Sequence, residues 1–73
     1  MKVTKRELQK IRTALPTGSY DEIAARTGLG VATVKSTLFK PERFNPAVIE
    51  TALALINEQR EKVESIKNLI KEI

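Results

Sequence analysis

The sequence predicts an all-α fold: a small four-helix domain with a helix-turn-helix at its centre (helices 2 and 3) and a long C-terminal helix. Three observations carry this. Apolar residues recur at three- and four-residue spacing along most of the chain. Gly28 interrupts that spacing between two short segments. After Pro46 there is neither glycine nor proline, so nothing stops a helix that starts there. Residues 1–58 form the domain on this reading, and residues 59–73 extend helix 4 beyond it.

Helix 1 is expected over 5–15. Thr4 and Glu7 have the spacing of a capping box, and Val3 with Leu8 that of a hydrophobic staple. Leu8, Ile11 and Leu15 form the inward stripe. Lys5, Arg6, Lys10 and Arg12 fall mainly on the other faces, where charged helix residues are chiefly solvated. Pro16 and Gly18 end the helix.

Helix 2 is expected over 20–27, with Ser19 and Glu22 as a second capping box. Asp21 and Glu22 are first-turn acids that suit the helix dipole. At Gly28 the chain needs the left-handed backbone that ends a helix abruptly, which glycine adopts without a Cβ clash. Ala24, four residues earlier, is small enough for two helices to cross closely. Helix 3 follows over 31–39. Val34 and Leu38 face inward, and Ile23 and Leu29 complete an apolar wedge.

Ile23-Ala24, Gly28-Leu29 and Ala32-Thr33-Val34 carry a resemblance. The stretch 19–39 resembles the helix-turn-helix of the lambda-repressor-like and lac-repressor-like families, and the likeness extends loosely to about residue 56. Gly30 stands where those families usually have a Ser or Thr cap. Thr37 stands where an apolar residue is common. The resemblance implies that helix 3 enters the DNA major groove. It also implies that the helix 2 N-terminus, with its free N–H groups and partial positive charge, points at a phosphate. Ser19 and Tyr20 add hydroxyls there, although the Tyr20 ring equally suits packing over the turn. Thr33 matches a phosphate-binding threonine of the families.

On a 3.6-residue period, Val31, Ala32, Lys35 and Ser36 point outward from helix 3 and would meet base edges. Val31 and Ala32 suit a thymine methyl, Ser36 several bases, and Lys35 a guanine or a phosphate. The alternative for Val31 is the rim of the core. This face has no Arg, Asn or Gln, the residues that make bidentate base contacts. Modest discrimination is expected, or specificity drawn from DNA shape and dimer spacing. Lys40 and Arg43, in a loop over 40–45, flank the end of helix 3 and are expected to meet phosphate. Phe44 plugs the underside of the domain.

Helix 4 opens with Asn45 as N-cap and Pro46 at the first helical position. Running to the C-terminus, it is roughly 40 Å long at 1.5 Å per residue. Its apolar residues fall on a heptad: Ile49, Ile56, Val63 and Ile70 on one seam, Ala52, Gln59, Ile66 and Ile73 on the other. Leu53, Leu55 and Leu69 widen the stripe. Val48, Ile49, Ala52, Leu53 and Ile56 are expected to close the core. Val63, Ile66, Leu69, Ile70 and Ile73 are left as an apolar face, and a homodimer would cover it. Lys62 and Lys67 would meet as like charges in a simple parallel coiled coil, so an oblique or four-helix contact fits better. A tail folded back on helix 1 is the alternative.

Composition narrows the function. At 73 residues there is room for one domain with a small core, which 4% aromatic content makes aliphatic. No cysteine and no histidine occur, which removes disulfides, thiolate metal sites and the commonest general base. Residues 1–45 hold nine Lys/Arg against four Asp/Glu, and residues 46–73 hold four against five. The net charge of +4 thus lies on the half with the motif, as for a domain that faces phosphates. No apolar run is long enough to span a bilayer, and MKVTKREL is unlike a signal peptide, so a cytoplasmic protein is expected.

Sequence-selective double-stranded DNA binding as a dimer is therefore expected, in a small transcriptional regulator of bacterial or phage type. The alternative is a protein-interaction module, such as an antitoxin or accessory factor, that binds a partner through the apolar C-terminal helix. An enzyme is not expected, nor a metal or other cofactor. The chain has no room for the ligand-binding domain of lac-type repressors, so no small-molecule ligand is expected either.

Overall fold

Residues 3–73 are described by the computed structural model; Met1 and Lys2 lie outside it. The order is α1 (Lys5–Ala14), α2 (Ser19–Thr27), α3 (Val31–Phe39), a 3-10 turn (Pro41–Arg43) and α4 (Pro46–Glu72). No strand occurs among the described residues.

Local chemistry sets most boundaries. The Glu7 N–H donates to Thr4 Oγ1 at 3.1 Å, and the Thr4 N–H donates to Glu7 Oε1 at 2.9 Å, which completes the expected capping box of α1. Val3 and Leu8 beside it are both buried. Gly28 ends α2 with φ +74°, and its N–H donates to the Ala24 carbonyl at 2.9 Å. Gly30 opens α3 with no side-chain cap. Asn45 caps α4, its Oδ1 accepting from the Ala47 N–H at 3.0 Å.

The start of α2 differs from expectation. Gly18, at φ +82°, is the N-cap, and Ser19 is already helical. The Ser19 hydroxyl donates backwards to the Pro16 carbonyl, so no capping box forms with Glu22. The left-handed glycine turns the chain one residue earlier than the Ser-x-x-Glu spacing implied, and this rotates the hydroxyl inward.

The core is aliphatic. Leu8, Ile23, Val34, Leu38 and Val48 are its largest fully buried side chains, drawn from all four helices. Burying each contributes about 1.5–3 kcal/mol relative to exposure. Ile49, Ala52 and Leu55 close it from α4, and Ile11, Leu15, Tyr20, Ala24, Leu29 and Phe44 pack round the edge. Thr37 is buried as well, among these apolar neighbours. Leu53 is a correction: it is half exposed, and Leu55 takes the core position. The inward face of α4 centres on Val48, Ala52 and Leu55, and Leu53 lies off that face, toward the end of α1.

Among the described residues, two polar side-chain contacts join the elements. Arg12 of α1 donates through Nη1 to the Leu38 carbonyl near the end of α3. This places a cation where the helix dipole favours one. Arg26, at the end of α2, pairs with Glu58 of α4 at 2.8 Å and with Glu22 at 3.0 Å. Beyond that point α4 leaves the rest of the protein. The molecule measures 48 × 25 × 18 Å, the long dimension reflecting the projecting helix. Residues 59–73 are all exposed, so the tail does not fold back on α1. No helix among the described residues is long and apolar enough to cross a membrane.

Candidate nucleic-acid interface

The core positions α3 by its inner face. Val34, Thr37 and Leu38 are buried, and the helical period then turns the opposite face to solvent. Ala32, Thr33 and Lys35 are exposed on it, while Val31 and Ser36 are half-buried at its margins.

The residues expected to contact DNA divide into groups. Ala32, Thr33 and Ser36 of α3 line a shallow depression together with Arg43, Phe44 and Asn45 from the following segment. The 3-10 turn brings this about by swinging Arg43 back alongside α3. On another side of α3, the Lys35 ammonium sits 5.9 Å from the centre of the Tyr20 ring. Tyr20 itself is half-buried and packs against the core, which favours the packing role for its ring. Lys40 caps the C-terminal end of α3 and is exposed.

Ser19, expected to offer a hydroxyl to phosphate, is buried instead. It is 6% exposed and its hydroxyl is spent on the Pro16 carbonyl, so it has nothing to offer a phosphate.

Phe39 escaped the sequence reading, and Arg12, expected on a solvated face, is instead half-buried against the Leu38 carbonyl. Phe39 is exposed on the last turn of α3, and the Arg12 guanidinium lies 4.2 Å from its ring centre. The spacing Ala32, Ser36, Phe39 is i, i+4, i+7, which is one stripe of a helix. The period that turned Val34 and Leu38 inward was sufficient to place Phe39 outward. Arg12 had no such signal, because its partners on α3 are distant in sequence.

The electrostatics are local. Lys35, Lys40 and Arg43 are exposed cations on or beside α3, without an ion pair to a carboxylate among the described residues. Arg26, by contrast, is engaged on both sides. Its hydrogen bonds to Glu58 and Glu22 push its pKa up, and the same contact holds the Glu58 carboxyl below its ordinary value.

A second surface lies on the tail of α4. Val63, Ile66, Leu69, Ile70 and Ile73 are all exposed. Val63, Ile66, Ile70 and Ile73 continue, turn by turn, the face on which Val48, Ala52 and Leu55 close the core. Near its base, Ile56 and Val63 form a groove with Ala14, edged by Arg60, Glu64 and Lys67.

Comparison with protein-family models, curated proteins and solved structures finds no match to this chain.

Proposed function

We propose that this protein binds double-stranded DNA through α3 and acts as a small transcriptional regulator. The observation that carries the reading is the uncovered outer face of α3, where Ala32, Thr33 and Ser36 share a depression with Arg43. Such an arrangement pairs short base-facing side chains with a phosphate-binding cation. Lys35 and Lys40 add charge along the same helix. The mechanism is binding. α3 lies in the major groove, the α2 N-terminus approaches a phosphate, and the lysines and Arg43 displace counterions.

A second copy covers the tail of α4 in this reading. An isolated helix of this length is marginal in water, and its apolar face needs a partner. The two α3 helices of such a dimer sit about 34 Å apart, one turn of DNA.

The test is fluorescence anisotropy of a labelled random duplex across a salt series. Micromolar binding that weakens steeply with salt supports the reading. No binding at low salt removes it.

One observation favours a second reading. Lys62 and Lys67 flank the apolar face of the tail, so two copies paired as a parallel coiled coil bring like charges together, with Glu64 beside Lys67 as the one acid in the groove. A different protein with an acid-flanked apolar helix meets no such repulsion. In that case the chain is a protein-interaction module, and light scattering finds it monomeric when alone.

A further inference from the structure

The chain has three aromatic residues. Tyr20 and Phe44 pack against the core, whereas Phe39 is 52% exposed. It does not sit on a loop tip. It belongs to α3 and shares a stripe with Ala32 and Ser36. Nor does its ring hang free: the Arg12 guanidinium lies 4.2 Å from the ring centre, and Arg12 is itself anchored on the Leu38 carbonyl. The cation holds one side of the ring and leaves the remainder open to solvent.

We propose that Phe39 is a base-reading residue that contacts the 5-methyl group of a thymine. This rests on the DNA reading above. Hydrogen-bonding readout is sparse on α3, because the helix carries no Arg, Asn or Gln. Apolar contact with thymine methyls is the readout available to such a face, and phenylalanine is one of the side chains suited to it. Phe39 offers far more apolar surface than Ala32. Its place at the last turn of α3 extends the reading face toward the end that Lys40 caps.

Two alternating duplexes, dA-dT and dA-dU, test this because they differ only in the thymine methyl groups. Wild type, Phe39→Ala and Phe39→Leu are titrated against both by anisotropy at one low salt concentration, with thermal melts to verify folding. The ratio of dA-dT to dA-dU affinity is expected to fall about fourfold in Phe39→Ala, the weight of one methyl group taken out of water. The salt dependence stays unchanged, since no phosphate contact is lost. Phe39→Leu retains part of the ratio and serves as the deciding variant if alanine impairs folding. An identical ratio in wild type and in the folded variants overturns the proposal while leaving DNA binding intact. If wild type binds neither duplex, the DNA reading fails and this proposal falls with it.

Discussion

The Arg26 guanidinium forks onto the Glu58 carboxylate, with Nη1 to Oε2 at 2.8 Å and Nη2 to Oε1 at 3.0 Å. Its Nε donates to Glu22 Oε1 at 3.0 Å. The fork ties the end of α2 to α4 near the point where α4 leaves the domain. It thereby joins the motif to the helix that would carry a dimer contact.

This pair predicts a response to acid. The Arg26 hydrogen bond holds the Glu58 carboxyl below its ordinary value. A carboxylate depressed in the folded state contributes fully above its unfolded pKa, and the contribution fades as pH falls through the folded value. Melting temperature is therefore expected to drop below about pH 4, the ordinary glutamate range. Glu58→Gln should lower it near neutrality and flatten part of that drop. Glu7, depressed mainly by its hydrogen bond to the Thr4 backbone, adds to the same trend. Both groups are exposed, so the effect is modest. Melts followed by circular dichroism across this range check it.

Ala24 sits at the edge of the core, four residues before the Gly28 turn. Ala24→Leu should overpack the approach of α2 to its neighbours and cost about 1–3 kcal/mol. A chemical denaturation curve measures this directly. An unchanged midpoint would mean that the helices leave more room than the packing shows.

Lys35 is exposed on α3, beside the Tyr20 ring. Lys35→Glu should weaken binding to duplex DNA about tenfold or more at low salt and make the salt dependence shallower by about one unit. Stability should change little, as for most surface substitutions. Equal affinity for the two proteins would take α3 out of the interface.

Ile66 lies on the open face of the α4 tail. Ile66→Asp should convert a dimer to a monomer, seen by light scattering, and weaken binding to two-site DNA. The domain itself should stay folded, because residue 66 touches none of its core. A mass unchanged from a dimeric wild type would place the contact elsewhere.

What the sequence determined by itself is largely local. The Thr4–Glu7 capping box, the Gly28 stop, the span of α3, the Asn45-Pro46 start and the length of α4 all rest on residues within a few positions of one another. Short-range steric and hydrogen-bonding rules suffice for these. The outward placement of Ala32 and Lys35 follows from the same periodicity, which also turned Val31 and Ser36 outward where the structure leaves them half-buried. Ser19 marks where such rules failed: a capping spacing was present, but the left-handed Gly18 turned the chain first and sent the hydroxyl inward. What only the tertiary structure decided involves groups distant in sequence. The Arg26–Glu58 fork spans 32 residues, and the Arg12 contact with Leu38 spans 26. The choice of Leu55 over Leu53 for the core depended on where α1 and α2 lie against α4. Nothing in a single helix encodes its neighbours' positions, and those positions determine which of its faces stays dry.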